Sequence, residues 1–354
     1  MEEIRSEKIL DFFAAANSYG GFISYFDKVF IPEEYKKIYL LKGGPGTGKS
    51  SFMKSVGKAF SDEKYRIEYI YCSSDPRSLD GVIIYGEGKK IAIIDATAPH
   101  EKDAKYPGAV EEIINLADHL DKSWLKANRE AIISKSANKS NAYKNAYNFL
   151  KIAGASSELI KATYQEAFSK TKAKSEAESI LQDIPSSEGG KMATRLVSSF
   201  GRDGEYRLNT LSRLQGRRIS ILGNEYASSL FLGYCLNILS ARGVNIINLP
   251  CALDPAATDA IHLPDFKLTL MREKDSVLNI DDLFKLSSID LDKVKKADEL
   301  RTKALDEAKR WFSIASEIHF SLEDIYGRAM DFYKNESLVK EKIAEIGIIL
   351  ENTR

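Results

Sequence analysis

The sequence contains little cysteine, no excess of either charge and no long apolar run, and each absence excludes a class of protein. Only three of its 354 residues are cysteines, Cys72, Cys235 and Cys251. They lie far apart without a CxxC pair, so we expect no disulfide framework and a reducing compartment. Lys plus Arg (51) equals Asp plus Glu (51), which argues against a general nucleic-acid binder. No apolar run approaches the roughly 20 residues that span a bilayer, so we expect a soluble, cytoplasmic protein.

Proline is missing from two long stretches of the chain. None occurs between Pro107 and Pro185, and none follows Pro264. Within them, residues 123–181 and 291–350 carry apolar side chains at mixed three- and four-residue spacing, which predicts amphipathic helix. We expect both stretches to fold back as helical hairpins.

The expected turns of these hairpins are Gly154, with the Ala-Ser-Ser that follows it, and the segment around His319. The apolar stripes of the hairpins must be buried somewhere. They pack either against their own core or against another protein or a second copy of the chain.

The length predicts two domains, because about 150 residues is typical of one. Apolar residues make up 44% and charged residues 29%, which is ordinary globular composition. Segments rich in β-branched residues precede each helical stretch and indicate strands alternating with helices. We place the boundary in the linker 184–190. The predicted domains are 1–187, with a helical insertion at about 120–183, and 188–354, with a helical hairpin at about 288–350.

The two halves of the chain resemble each other at a nearly constant offset. The run KKIYLL at 36–41 matches RRISIL at 217–222. The pattern C-x-x-D-P-x-x-x-D starts at Cys72 and again at Cys251, and KIAIID at 90–95 lies opposite KLTLMR at 267–272. The sequence therefore predicts a tandem duplication whose copies have diverged.

A phosphate-binding loop is the strongest motif. The pattern G-x-x-x-x-G-K-[ST] is satisfied by Gly43, Gly44, Pro45, Gly46, Thr47, Gly48, Lys49 and Ser50, with Ser51 next to it. An apolar run at 38–41 supplies the strand before the loop, and 50–60 supplies the helix after it. In such loops backbone N–H groups surround the phosphates, the lysine reaches the β and γ phosphates, and the Ser hydroxyl ligates Mg²⁺. These eight residues predict a site for a nucleoside triphosphate, with ATP and Mg²⁺ as the ligands.

Asp95 is the candidate second ligand of the metal. It ends the run IAIID, at the edge of a parallel sheet where ligands bind. No Glu follows it, so the acid that polarises the attacking water in many ATPases is missing. His100 is a candidate catalytic residue facing the γ phosphate, or else an exposed loop histidine. Asp75 and Asp80 recur in the second half, which favours a structural role such as turn capping.

The second half lacks this nucleotide apparatus. Its loop, 223–229, is shorter, with Ser228 where the first half has Lys49 and Arg272 where it has Asp95. We expect no Mg-nucleotide there. Arg272 is free to form an internal ion pair or to be an arginine contributed towards a nucleotide, and we expect the ion pair.

These motifs resemble a family of bacterial tandem P-loop proteins, described as ATP-binding proteins or ATPases of unknown role. The resemblance rests on GGPGTGKS, on CSSDPRSLDGVII and on the stretch 93–116. It implies that Gly43–Ser50 is the ATP loop and Asp95 the metal-side acid. It further implies a loop near the phosphates that contains Thr97, Pro99, His100, Tyr106, Pro107 and Gly108. Family members often keep a complete P-loop in both halves, and this sequence does not.

The sequence thus predicts an α/β protein of two tandem P-loop NTPase-like domains, each a parallel sheet followed by a long helical hairpin. The expected function is that of a Mg²⁺-dependent NTPase in which Lys49, Asp95 and His100 act on ATP. Two alternatives stay open: a small-molecule or nucleotide kinase that uses the same loop, and a nucleotide-gated scaffold with little turnover. The expected partners are the nucleotide and, through the hairpins, another protein or a second copy, with no membrane and no strong nucleic-acid signal.

Overall fold

The computed structural model of the chain describes residues 8–62, 64–272 and 278–352. Within these ranges two six-stranded sheets are combined with long helices. The predicted α/β class is therefore confirmed. No helix within them combines the length and the apolar composition needed to cross a membrane.

The first half builds one sheet, one small hairpin and one long helix. Its strands are β1 (Ile9–Phe13), β2 (Ala15–Ser18), β3 (Gly21–Ser24), β4 (Lys37–Lys42), β5 (Arg66–Tyr71), β6 (Leu79–Gly86), β7 (Lys89–Asp95) and β8 (Glu111–Asn115). Its helices are α1 (Phe26–Val29), α2 (Lys49–Ala59), α3 (Lys122–Ala127), α4 (Arg129–Ala167) and α5 (Lys170–Ile180). The sheet has the order β1-β5-β6-β7-β4-β8, and β2 pairs with β3.

The second half repeats this arrangement. Its strands are β9 (Met192–Thr194), β10 (Ser198–Gly201), β11 (Gly204–Arg207), β12 (Arg217–Leu222), β13 (Ile246–Pro250), β14 (Thr258–Leu263), β15 (Leu268–Arg272) and β16 (Leu278–Asn279). Its helices are α6 (Thr210–Arg213), α7 (Glu225–Ala241), α8 (Leu291–Arg328) and α9 (Phe332–Glu351). The order β9-β13-β14-β15-β12-β16 matches the first sheet strand for strand, and β10 pairs with β11 as β2 does with β3. This match supports the duplication that the sequence predicts.

The sheets are mixed, so the prediction of parallel sheets is wrong in one respect. β4 runs parallel to β7 and β8, whereas β6 is antiparallel to both β5 and β7. Only residues 72–78 connect β5 to β6, and a parallel connection needs a dozen or more residues. The next turn has two residues, Glu87 and Gly88, with φ of 49° and 75°, which is the turn geometry of a tight antiparallel hairpin.

The two long helices, α4 and α8, pack against each other in antiparallel orientation. Lys135 near the start of α4 hydrogen-bonds Ser321 near the end of α8, and Tyr143 makes an edge contact with Phe312 further along. Seven of the buried residues of α4 form a row at alternating steps of four and three: Ala146, Leu150, Ala153, Ser157, Ile160, Tyr164 and Ala167. This is the seam spacing of a coiled coil. Each apolar stripe is thus buried against the other half.

The predicted turn positions are wrong, because Gly154 and His319 both lie inside unbroken helices. A glycine inside a helix costs about 1 kcal/mol relative to alanine. Here a Cβ on Gly154 would lie 2.6 Å from the Cβ of Tyr19, so the glycine allows a close approach. The chain turns at other points, where Ser169 caps α5 and Asp331 caps α9 with side-chain hydrogen bonds.

Each half also donates its last helix to the core of the other half. Ala173 and Ala177 of α5 belong to the apolar cluster around the second sheet. Ile346 and Leu350 of α9 belong to the cluster around β4, β7 and α2 of the first. The predicted boundary at residue 187 separates the two sequence repeats. It does not separate the two cores, because each core includes a helix from the other repeat.

We expect the change Ile346→Ala to destabilise the protein by about 2–5 kcal/mol, because it removes a fully buried side chain from this exchanged contact. The control is Ile348→Ala on the same helix, where the side chain is 61% exposed and the expected change is within about 0.5 kcal/mol. Thermal and urea unfolding measure both. Equal effects would mean that α9 does not dock on the first sheet.

Candidate functional site

The glycine-rich loop 43–48, which the sequence predicts to be a P-loop, connects β4 to α2. β4 is buried along Ile38–Leu41, and α2 begins at Lys49. Gly46 and Gly48 have φ of 71° and 86°, in the left-handed region that side chains disfavour. The loop therefore needs glycine at these two positions in order to turn into the helix.

Lys49 and Asp95 lie together at the carboxyl ends of the neighbouring parallel strands β4 and β7. The Nζ atom of Lys49 is 3.6 Å from Oδ2 of Asp95, and both side chains are largely buried. Nζ also donates hydrogen bonds to the carbonyl oxygens of Gly43 (2.7 Å) and Gly44 (2.8 Å). The lysine is therefore fixed across the loop by two carbonyls and one carboxylate.

Asp95 has an unusual electrostatic environment. Burial raises the pKa of its carboxyl group, the positive charge of Lys49 partly opposes this, and the negative charge of Asp80 adds to it. Its Oδ1 atom accepts hydrogen bonds from the N–H and the hydroxyl of Thr97. Two carboxylates and one lysine thus share a small buried volume.

The remaining residues of the motif differ in their surroundings. Ser50 Oγ accepts a hydrogen bond from the N–H of Leu79 (2.9 Å), which ties the start of α2 to the loop between β5 and β6. Thr47 is buried, and its hydroxyl donates to the carbonyl of Gly44. Pro45 is half-buried within the loop, while Ser51 is exposed in the first turn of α2. Ser50 retains a lone pair and a proton after this contact.

His100 is buried, so the alternative of an exposed loop histidine is wrong. Its ring stacks on Phe26, with the ring centres 4.2 Å apart. Nε2 lies 3.1 Å from Oδ2 of Asp80, a distance for an ion pair that does not meet hydrogen-bond geometry. The structure thus connects His100 to Asp80, which in turn is close to Asp95. Asp75 accepts a hydrogen bond from the N–H of Arg77, two residues on, which is the turn-capping role expected of it.

Helices of the second repeat cover the P-loop. A Cβ on Gly46 would lie 2.5 Å from the backbone oxygen of Glu323 in α8, and one on Gly44 would lie 3.0 Å from the ring of Tyr326. The amide of Asn335, in α9, donates to the carbonyl of Thr47 (2.9 Å). Sequence reasoning missed these residues because they lie about 280 positions from the loop and carry no motif.

Lys139 of α4 brings a further positive charge to this region. Its Nζ atom is 3.5 Å from Nδ1 of His319. Burial lowers the pKa of Lys139, the negative charge of Glu323 opposes this, and the positive charge of Lys49 lowers it further. The two lysines are therefore close enough to repel each other, and an anion between them would relieve that repulsion.

The corresponding loop of the second half is filled by an ion-pair network. Ser229 Oγ accepts a hydrogen bond from the N–H of Thr258, as Ser50 Oγ does from Leu79, and Ser229 also donates to the Thr258 carbonyl. The shared contact supports the correspondence of the two loops. Arg272 lies 3.6 Å from Glu225 and 3.5 Å from Asp259, so the expected internal ion pair is confirmed. Arg301 also pairs with Glu225 (3.0 Å). A carboxylate of the protein itself thus neutralises the arginines of this site.

A cleft of about 930 Å³ opens beside this second loop. Its charged lining residues are Lys161, Lys170, Arg272 and Arg301 against Glu205, Glu225, Asp254 and Asp259. The two signs balance, which gives a triphosphate no net attraction.

Comparison of the chain with models of protein families, with curated proteins and with solved structures finds no match. The residues of the site alone therefore indicate what the protein does.

We expect Gly46→Ala to separate α8 from the P-loop. A left-handed alanine costs about 1–2 kcal/mol, and its Cβ would additionally meet the backbone of Glu323. The control is Gly88→Ala, with a similar φ of 75° and no atom within 4 Å of the added Cβ. Gly46→Ala should lower the melting temperature more than the control does. Equal losses would show that α8 does not contact the loop in solution.

We expect Asp95→Asn to leave the melting temperature unchanged or raise it, while the effect of Mg²⁺ on nucleotide binding is lost. Burial disfavours the charged carboxylate in the folded state, and the amide removes that cost while its oxygen still accepts from Thr97. Thermal unfolding and nucleotide titration with and without Mg²⁺ measure the two effects. Retained dependence on Mg²⁺ would contradict the metal role.

Proposed function

We propose that the protein is a Mg²⁺-dependent, ATP-binding P-loop NTPase with one nucleotide site, in its first half. The observation that carries this proposal is the contact between Lys49 and Asp95, 3.6 Å apart at the carboxyl ends of adjacent strands. That edge of a sheet is where ligands bind in α/β proteins. The glycine-rich turn and the start of α2 add backbone N–H groups beside the lysine.

The residues present fit a magnesium ion. Mg²⁺ prefers oxygen ligands and is usually held by one or two carboxylates together with substrate phosphates. Ser50 and Asp95 would supply the protein oxygens, and the bound ion would neutralise charge on the phosphates. The raised pKa of Asp95 reflects burial beside Asp80, and a cation at this point would stabilise both carboxylates.

Lys49 has the second role in the proposed mechanism. On binding, its Nζ would exchange the carbonyls of Gly43 and Gly44 for oxygens of the β and γ phosphates. Its charge then stabilises the phosphoryl group as negative charge develops on it. His100 acts indirectly in the proposed mechanism, by holding Asp80 beside Asp95.

A phosphotransferase is the second candidate, and the residue after Asp95 favours it. That residue is Ala96, which is fully buried and has no carboxylate to polarise water. Release of phosphate without an acceptor supports the NTPase. Release of ADP that requires an added acceptor supports the kinase, and binding without turnover supports a nucleotide-gated scaffold.

Calorimetric titration with MgATP tests the proposal directly. We expect one nucleotide per chain, because Glu225 neutralises the second loop. Lys49→Ala should weaken binding by roughly 10- to 150-fold, the equivalent of about 1.5–3 kcal/mol for charged hydrogen bonds. The matched control is Lys54→Ala, a lysine on α2 that bonds only the carbonyl of Arg77 in the described residues. Two equivalent sites, or equal affinity in Lys49→Ala, would contradict the proposal.

A further inference from the structure

The small hairpin of each half reaches across to the other half. The carbonyl of Phe200, in β10, accepts a hydrogen bond from the amide of Asn17 (2.8 Å), and a Cβ on Gly201 would lie 3.0 Å from the carbonyl of Ser74. In the matching contact, the N–H of Tyr19 donates to the carbonyl of Leu253 (2.9 Å). The two turns correspond residue for residue, so Arg202 holds in one hairpin the position that Tyr19 holds in the other.

Arg202 carries hydrogen-bond donors with no acceptor. Its Nε and Nη1 atoms are buried and have no hydrogen-bond partner within the described part of the chain. The carboxylate of Asp203 lies 3.5 Å from Nε, at ion-pair distance but without a hydrogen bond. The guanidinium carbon is 5.1 Å from the ring centre of Phe320 in α8. Buried donors without acceptors cost free energy, which an added anion would recover.

The position of this guanidinium relative to the P-loop follows from two contacts. Phe320 lies one helical turn before Glu323 in α8. The backbone of Glu323 lies against Gly46. The loop 72–78, against which the hairpin turn lies, is tied through Leu79 to Ser50. Arg202 therefore lies beside the two segments that contact the P-loop region, the end of α8 and the loop 72–78. Ser50 would hold the metal of the proposed site, so Arg202 lies on the side of the loop where we propose the γ phosphate.

We propose that Arg202 is a catalytic arginine that the second half supplies to the nucleotide site of the first, by donating to the γ-phosphoryl group. The inference rests on the proposed function and deepens it. In the reaction, the oxygen of water bonds to the γ phosphorus and the bond to the β–γ bridging oxygen breaks. The electron pair of that bond stays on ADP, and the proton of the water is released with inorganic phosphate. Arg202 stabilises the negative charge on the oxygens of the γ-phosphoryl group in the transition state.

The comparison of the two halves supports this assignment. The hairpin that faces the P-loop of the first half carries an arginine, whereas the hairpin that faces the neutralised loop of the second half carries Tyr19. Tyr19 is satisfied there, since its hydroxyl accepts from Ser157 (3.0 Å). At this hairpin position the chain therefore carries a cation on the side of the proposed phosphate site and a neutral tyrosine on the other side.

Hydrolysis and binding measured on the same variants test the proposal. Arg202→Ala should lower kcat on the order of a thousandfold, as loss of such an arginine does, with little change in the affinity for MgATP. The complex of MgADP with aluminium fluoride imitates the phosphoryl group in the transition state. It should bind the wild-type protein and not the Arg202→Ala variant. The matched control is Arg77→Ala, since Arg77 lies over the same Phe320 ring but its Nε is bonded to Asp75. It should keep its kcat.

A second variant separates catalysis from packing. Arg202→Lys keeps the charge and the aliphatic stem over Phe320 but loses the planar fork of donors. It should retain the melting temperature and the MgATP affinity while kcat falls at least about tenfold. Unchanged kcat in both variants, or a lower melting temperature with unchanged kcat, overturns the proposal.

The failure of this inference differs from the failure of the nucleotide site. A chain that binds MgATP through Lys49 but hydrolyses it equally well without Arg202, or does not hydrolyse it at all, overturns the role of Arg202 alone. A chain that binds no nucleotide overturns both.

Discussion

The antiparallel contact between α4 and α8 is the constraint on which the rest of the structure depends. Each helix is nearly 40 residues long, about 58 Å at 1.5 Å per residue, and small buried residues such as Ala146 and Ala308 let the two axes approach closely. Because each helix runs from its own half to the other, the next helix begins beside the opposite sheet. The exchange of α5 and α9 is a direct consequence of the length and direction of this pair.

The same exchange builds the candidate site from both repeats. The first half supplies the P-loop, Lys49 and Asp95, and the second half supplies Glu323, Tyr326 and Asn335 against the loop. The contact between Gly46 and the backbone of Glu323 leaves no room for a side chain. A displacement of α8 would therefore move the loop, and a change in the conformation of the loop would displace the helix pair.

The loops of the two halves have different charged surroundings. In the first half a lysine faces a carboxylate and two loop carbonyls. In the second half Arg272 takes the position of Asp95, and Glu225 satisfies both Arg272 and Arg301. An outside anion at this loop would have to displace a carboxylate of the protein that already pairs with both arginines. Both halves keep a serine contact that holds the helix to the sheet. It joins Ser50 to Leu79 in the first half and Ser229 to Thr258 in the second.

The sequence by itself determined the α/β class, the repeat, the position of a glycine-rich loop between a strand and a helix, and the internal pairing of Arg272. These depend on local patterns: an apolar strand, a glycine-rich turn, a helix start and a constant offset between the halves. The direction of β6 was predicted wrongly, because the connection 72–78 that excludes a parallel crossover is defined only by the strand bounds of the structure.

Tertiary structure alone decided where the long helices turn, which core their last helices join, and which distant side chains meet the loop. An apolar stripe shows that a helix face is buried but not against what, since any apolar surface satisfies it equally. Gly154 was a plausible turn by composition and became a point of close approach only because Tyr19 packs there. The surroundings of His100, Lys139 and Arg202 likewise depend on contacts between residues far apart in the chain, which no local pattern records.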